Sequence, residues 1–147
     1  MTSRQFVFGM CCLSMLTAIG CGDPAQAEPT LVPTQGIVTQ AGKPLAHVTV
    51  TFYPDNGKDT QGPSSTGVTN QAGEFQLMAG GNKPGAVVGF HKVTVQCPMM
   101  GSGMTPEQQA AAKACQISAN FGNPEKTTLT AEVTAETPDL ILEVPAN

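Results

Sequence analysis

A short segment in the second half of the sequence concentrates sulfur. Cys97 and Cys115 bracket this segment, and Met99, Met100 and Met104 lie between them. Thiolate and thioether sulfur are soft ligands that suit Cu(I), so the spacing allows a copper-handling role. The two cysteines can instead form a disulfide, with the methionines as flexible apolar filler. Because a disulfide sulfur is a poor ligand, the two interpretations compete for Cys97.

The histidines and the acidic residues suggest no enzymatic chemistry. A serine hydrolase needs Ser, His and an acid brought together, and no nucleophile-elbow motif accompanies the chain's two histidines. His91 has core parity on its strand and His47 has the opposite parity, so we expect the first to be structural and the second exposed. The spacing of Asp55, Asn56 and Asp59 matches no defined calcium loop. We therefore predict no catalytic residues, no resident metal and no cofactor.

Composition limits the classes of partner. The net charge is −4 and no basic patch is present, which excludes nucleic acid as a partner. Thr49, Thr51 and Tyr53 share one face of a strand, and this face offers an alternative role in carbohydrate binding. The chain has no tryptophan, and Tyr53 is its single tyrosine, so little aromatic surface is available to stack on a sugar ring.

The N-terminus has the pattern of an export signal. One cation, Arg4, precedes an apolar run from Phe6 to Ile19 that is too short to span a membrane comfortably. Residues 18–21 (Ala-Ile-Gly-Cys) match a bacterial lipobox, in which the cysteine is acylated before cleavage. We therefore predict a signal peptide at residues 1–20 and a lipid on Cys21. Cleavage after Ala27, which ends an A-x-A site, is the alternative and would release a secreted chain.

The mature chain is predicted to have two parts. Residues 21–34 are rich in proline, alanine and threonine without periodicity, which predicts a lipid-anchored tether. Residues 35–147 form the folded domain. The lipid would attach the protein to a membrane of the cell envelope, facing the periplasm or the exterior. An envelope protein or a glycan is the expected further partner.

The sequence of the domain predicts an all-β fold. Strand patterns occur at residues 36–39, 47–53, 66–69, 74–77, 87–97, 127–133 and 140–144, and polar loops occupy residues 54–63 and 78–86. Asn70 to Gly73 is typical of a hairpin connection with a left-handed glycine. Several strands separated by polar turns predict a sandwich of two antiparallel sheets.

One segment departs from the β pattern. Thr105 followed by Pro106 and Gln108 has the form of a capping box, and the alanine-rich run to Cys115 has high helix propensity. We therefore predict a helix-bearing insertion at residues 98–118. We predict a Cys97–Cys115 disulfide, with copper binding as the alternative, and this bridge would fix the otherwise marginal helix to the preceding strand.

The order of these elements resembles a known family. Glycine turns alternate with valine-rich strands, in the segments Gly36–Thr39, Gly42–Leu45, Val48–Phe52, Thr69–Phe75 and Gly89–Val95. This order is similar to the carboxypeptidase regulatory-like domain, a seven-stranded transthyretin-like β-sandwich that also occurs in small bacterial lipoproteins. The resemblance covers Gln35 to Val144 and implies a non-catalytic accessory or surface module, not a peptidase. Asn70 stands where aspartate is usual, and the 98–118 insertion is outside the family pattern.

Overall fold

The alternating strands of the sequence assemble into three β-sheets. The computed structural model describes residues 28–136 and 139–146. These residues include twelve strand segments, one α-helix (α1, Pro106–Ala114) and 3₁₀ turns at Asn56–Lys58 and Ala119–Gly122. The strands are β1 (Leu31–Val32), β2 (Gln35–Gln40), β3 (Lys43–Pro44), β4 (Thr49–Pro54), β5 (Ser65–Val68), β6 (Glu74–Gln76), β7 (Met78–Ala79), β8 (Lys83–Pro84), β9 (Ala86–Val87), β10 (Gly89–Gln96), β11 (Thr130–Val133) and β12 (Leu140–Val144).

Two of the sheets pack face to face. The large sheet has the order β11-β10-β4-β5-β7-β8, and the small sheet joins β12, β2 and β3, with β6 also paired to β2. Their inner faces share one apolar core, in which the rings of Phe52 on β4 and Phe75 on β6 lie 6.3 Å apart. β1 and β9 form a separate pair. The predicted all-β class with one short helix is confirmed.

Strand β4 shows how alternation in the sequence builds this core. Val50 and Phe52 are fully buried, whereas Thr49, Thr51 and Tyr53 on the opposite face are half-buried. Successive side chains of a strand point to opposite faces, so one apolar set reaches the core. Each such buried side chain contributes about 1.5–3 kcal/mol through removal of its apolar surface from water.

The topology differs from seven antiparallel strands. β12 pairs with β2 in parallel, with Leu142 opposite Val38. The chain returns to the small sheet from β11 in the large sheet, by a crossover instead of a hairpin, and enters at the same end as β2. The strand count is larger because five two-residue segments add to the seven predicted strands: β1, β3, β7, β8 and β9. The loop predicted at residues 78–86 contains β7, β8 and the start of β9.

Residues 70–73 form the predicted turn but not the predicted hairpin. Gly73 has φ +77°, and its N–H donates to the carbonyl oxygen of Asn70 at 3.0 Å. A Cβ at Gly73 would lie 2.8 Å from the carbonyl oxygen of Val38, so the position also requires glycine sterically. The flanking strands then separate, because β5 pairs with β4 and β7 while β6 pairs with β2. The turn therefore carries the chain from one sheet to the other.

Helix α1 forms as the sequence predicts. Thr105 Oγ1 accepts a hydrogen bond from the Gln108 N–H at 3.2 Å, and Gln108 Oε1 accepts one from the Thr105 N–H at 3.0 Å. This reciprocal capping box satisfies two N–H groups at the helix start. No residue of α1 is buried. Local hydrogen bonds, not core packing, therefore define the helix.

The insertion closes one end of the sandwich. Gln40 Nε2, at the end of β2, donates to the Gln116 carbonyl at 3.3 Å, and Gln96 Nε2, at the end of β10, donates to the Gly122 carbonyl at 2.8 Å. Phe121 packs against the core from the same segment. Irregular structure continues past residue 118 to β11, so the insertion is longer than the sequence predicts. It contacts strands of both sheets.

Ordered structure begins before Gln35. Leu31 and Val32, placed in the tether by the sequence, form β1 opposite Val87 and Ala86. The predicted signal peptide at residues 1–20 and the predicted lipid site at Cys21 lie outside the described residues. Across residues 28–136 and 139–146, no helix is long and apolar enough to cross a membrane.

Candidate functional site

An open groove of about 710 Å³ is lined by residues of β2 and β6 in the small sheet and by Val68 on β5 and Met78 on β7 in the large sheet. Cavities of this volume are typical of ligand sites. We call it the outer groove. Its walls include Gln35, Ile37, Val68, Glu74, Met78 and Asp139.

Strand register decides which side chains share the outer groove. β2 is the central strand, and on β6 Gln76 lies opposite Gln35 while Glu74 lies opposite Ile37. Asp139 directly precedes β12 and accepts a hydrogen bond from Gln35 Nε2 at 2.7 Å. With strands about 4.8 Å apart and a rise of about 3.4 Å per residue, Asp139 and Glu74 are about 12 Å apart on a diagonal. Ile37 lies between them.

Both groove carboxylates are held by neutral amides. Asp139 Oδ1 accepts from Gln35, and Glu74 Oε2 accepts from Asn70 Nδ2 at 2.8 Å. Asn70 is itself fixed, because its Oδ1 accepts from the backbone N–H of Glu74 at 3.0 Å. The second oxygen of each carboxylate has no partner among the described residues, and no lysine, arginine or histidine lines the groove there. The site therefore carries uncompensated negative charge.

Apolar side chains lie beside the two carboxylates, with Ile37 on the strand between them and Val68 and Met78 on β5 and β7 of the large sheet. Ile37 and Met78 are half-buried, and Val68 is 60% exposed. Ile141, opposite Ile37 in the parallel ladder, is 74% exposed and extends this surface over β12. A ligand with an apolar centre and positive ends would match this pattern of contacts.

Gly36 lets β12 approach β2 closely beneath the groove. A Cβ at this position would collide with the carbonyl oxygen of Leu140. Leu140 follows Asp139 directly, so the close approach at Gly36 also sets the position of the groove carboxylate. A glycine in the middle of a strand is otherwise unfavourable.

Glu143 on β12 lies on the same outer face, directly opposite Thr39 on β2. The hydrogen bond from the Thr39 hydroxyl lowers the pKa of Glu143 below its ordinary value, and backbone hydrogen bonds from Gly42 and Ala41 act in the same direction. This carboxylate stays ionised to lower pH than an unbonded glutamate, and it adds to the negative charge of the face.

The sulfur segment forms a disulfide in the structure. Cys97 and Cys115 are bonded, with their Cα atoms 5.8 Å apart. Met99 is 91% exposed and Met100 is 61% exposed, whereas Met104 Sδ accepts a hydrogen bond from the Gly101 N–H at 3.2 Å. The disulfide removes the Cys97 thiolate as a copper ligand, so the copper hypothesis would rest on the three thioethers.

The two histidines occupy different environments. His91 is 1% exposed, its ring lies 5.6 Å from that of Phe52, and its Nδ1 contacts the Gly89 carbonyl at 3.1 Å. Burial lowers the pKa of His91, partly opposed by that contact. His91 Nε2 and Ser65 Oγ are buried without a hydrogen-bond partner among the described residues. His47, expected to be exposed, is half-buried and has φ +60° just before β4.

The acidic loop after β4 is organised by its own backbone. Asp55 Oδ1 accepts from the Gly57 N–H at 3.1 Å and caps a 3₁₀ turn, and Asp59 ends that turn in the left-handed region with φ +57°. Within the described ranges, no cluster of three or more His, Cys, Asp or Glu side chains is arranged to hold a metal ion.

On the face of β4 proposed for carbohydrate binding, one hydroxyl group is already hydrogen-bonded to the neighbouring strand. Thr51 Oγ1 and Thr66 Oγ1 on β5 are 3.2 Å apart and share a hydrogen bond. Tyr53 is half-buried. The face therefore presents fewer free hydroxyl groups than the alternation predicts.

No family model, curated protein or solved structure matches this chain. The candidate site therefore rests on geometry. Nothing in the sequence singles out Glu74 or Asp139, because two separate acidic residues form no motif. Their partnership follows from the pairing of β2 with both β6 and β12, which brings together segments more than 60 residues apart. The one available signal was the outward parity of Gln35 and Ile37.

Proposed function

We propose that this protein is a non-catalytic, lipid-anchored module of the cell envelope, with a binding role. Its domain would be a transthyretin-like sandwich of the carboxypeptidase regulatory-like kind. The two-sheet architecture supports that assignment. The glycine turns at Gly42 and Gly73, which both adopt positive φ, support it further because the resemblance is built on them.

The observation that carries the proposal is the Cys97–Cys115 disulfide. Disulfides persist in oxidising compartments outside the cytosol, which agrees with export. The bridge closes a loop with a sequence separation of 18, for which the chain-entropy model gives about 3 kcal/mol of stabilisation. A small exported domain with a modest core benefits from such a link.

The outer groove favours a binding role over a purely structural one. Its carboxylates are oriented by neighbouring amides and have no cationic partner among the described residues. An exposed charge that is fixed in place and left unpaired is available to a ligand.

Intact-mass spectrometry of protein extracted from membranes tests the anchor. We expect a chain that begins at an acylated Cys21. Cys21→Ser should shift the protein to the soluble fraction. The matched variant Cys12→Ser, which changes a cysteine inside the signal peptide, should remain in the membrane fraction. A soluble wild-type chain beginning at Glu28 would reject the anchor and support cleavage after Ala27.

A further inference from the structure

We propose that the outer groove binds an extended peptide segment with a basic residue at each end and an aliphatic residue between them. This inference rests on the proposed binding role and specifies its ligand. Charge complementarity is the first argument for it. Glu74 and Asp139 each keep one carboxylate oxygen without a partner among the described residues, and Glu143 adds a third negative charge on the same face.

These carboxylates are also free of competing cations. The structure contains an ion pair between Lys83 and Glu28 at 3.5 Å, but none of the three face carboxylates has an ion pair within the described residues. A lysine or arginine from a partner would therefore meet charges that the chain itself does not neutralise. Exposed pairs of this kind are individually weak, so two of them with an apolar contact are needed for useful affinity.

The spacing of the charges fits an extended peptide. Asp139 and Glu74 are about 12 Å apart by strand geometry, and residues i and i+4 of an extended chain are about 13.5 Å apart on the same side. The residue at i+2 then faces Ile37 on β2, the strand between the two carboxylates. Lysine side chains are long and flexible enough to absorb the difference of about 1.5 Å.

The polar rim suits a peptide backbone better than a sugar. Gln76 points outward beside the groove, and its amide can both donate and accept. Phe75 also lines the groove but is 3% exposed, so no aromatic face is offered for stacking on a sugar ring. These features select a peptide as the occupant.

Fluorescence anisotropy with three labelled pentapeptides tests the proposal on the full mature protein. Lys-Thr-Leu-Thr-Lys is the probe, Glu-Thr-Leu-Thr-Glu reverses the charges, and Lys-Thr-Ser-Thr-Lys removes the apolar centre. We expect saturable binding of the first peptide with a dissociation constant below about 1 mM. The acidic peptide should not bind, and the serine peptide should bind more weakly than the probe. Salt at about 0.5 M should lower the affinity of the protein for the probe, because it screens the charges.

Substitutions locate the binding. Glu74→Gln and Asp139→Asn keep an acceptor for the amides of Asn70 and Gln35 and remove only the charge, so both variants should fold. Each should weaken probe binding about 2- to 5-fold, and the double variant about tenfold. Glu132→Gln, at an exposed position on β11 in the large sheet, is the matched control and should leave binding unchanged.

Three results would overturn the proposal: equal binding of the acidic peptide, an equal loss in the Glu132→Gln control, or no saturable binding below about 1 mM. These failures are separable from failure of the lipid anchor. The anchor is determined by the mass of the chain at Cys21, and a soluble chain beginning at Glu28 can still bind peptide at the groove.

Discussion

The outer groove and the disulfide-closed insertion are held in place by different forces. The floor of the groove is made of β2, β6 and β12, whose reverse faces bury Val38 and Leu142 in the core. Helix α1 in the insertion buries no residue, and the Cys97–Cys115 disulfide and backbone contacts fix its position. The groove strands are therefore positioned by the core, whereas the position of α1 relies on the disulfide and on hydrogen bonds from Gln40 and Gln96 to the segment around it.

This difference separates the two candidate binding regions. Groove side chains have defined partners, as in the contact between Gln35 and Asp139. In the insertion, Met99 and Met100 are largely exposed. A pre-positioned site loses less conformational entropy when it binds. The groove is therefore the better-prepared surface, and four changes test how far the two regions are independent.

Removal of the shared core should give the largest effect and affect both regions. Phe52 contacts Phe75 across the sandwich and is fully buried. We expect Phe52→Ala to lower the free energy of unfolding by about 3–5 kcal/mol, because it removes apolar burial and leaves a cavity. Urea denaturation measures this loss. Thr51→Ala on the outer face of the same strand is the control, and an equal loss there would contradict the assigned core.

Removal of the disulfide should affect the insertion and spare the groove. Cys97→Ser with Cys115→Ser should lower the free energy of unfolding by about 2–4 kcal/mol. Limited proteolysis should then cut within residues 98–118 first. Binding of the basic pentapeptide at the groove should be unchanged under conditions where the variant is folded. If peptide binding falls together with protection from proteolysis, the groove and the insertion are coupled. The claim that they are held in place independently would then be wrong.

Protonation of His91 in the core should lower the free energy of unfolding by less than removal of the disulfide does. Burial lowers its pKa from the ordinary value of 6.5, so the unfolded chain takes up the proton more readily than the folded one. This contribution to stability is complete above pH 6.5 and is lost as the pH falls below it, towards the folded pKa. Urea midpoints between about pH 8 and about pH 5 measure the effect, above the range where most carboxylates titrate.

His91→Leu should remove this pH dependence, since the side chain no longer titrates. The variant His47→Gln should keep it, because the change lies before β4 and leaves His91 and its contact with Phe52 intact. If the pH dependence persists in His91→Leu and vanishes in His47→Gln, its assignment to His91 is wrong.

Loss of the helix cap should give the smallest effect and remain inside the insertion. Thr105→Ala removes the hydroxyl that accepts from Gln108 N–H, which costs about 1 kcal/mol. Hydrogen exchange should increase in residues 106–114 and stay constant in β2 and β6. Ser102→Ala, which lies outside the capping box, is the control. If hydrogen exchange also becomes faster in β2 and β6, the helix stabilises the sheets as well as its own segment.

Local patterns in the sequence were sufficient to predict several elements. Period-two alternation identified β4, β10 and β12, because burial of one face is a local property of a strand. The capping box at Thr105 was recognisable for the same reason, since its partner Gln108 is three residues away. The disulfide was predictable because Cys97 and Cys115 were the pair left once the predicted signal and lipid site had been assigned.

Non-local pairing was not predictable in this way. No local sequence pattern predicts that β5 and β6 join different sheets on either side of the turn at Gly73, because the pairing of each strand depends on residues far away in the sequence. The parallel pairing of β12 with β2 likewise depends on a crossover from the large sheet. The outer groove is built from these two features, and its carboxylates Glu74 and Asp139 therefore escaped prediction.

The central claim is that the groove on the strands, and not the insertion, receives the ligand. Two-dimensional ¹H–¹⁵N NMR of the labelled protein, titrated with the Lys-Thr-Leu-Thr-Lys peptide, tests this residue by residue. We predict concentration-dependent shifts in the amides of residues 35–37, 74–76 and 139–141, with residues 98–118 unchanged. Shifts confined to residues 98–118, or none in the groove strands at saturation, would contradict the account.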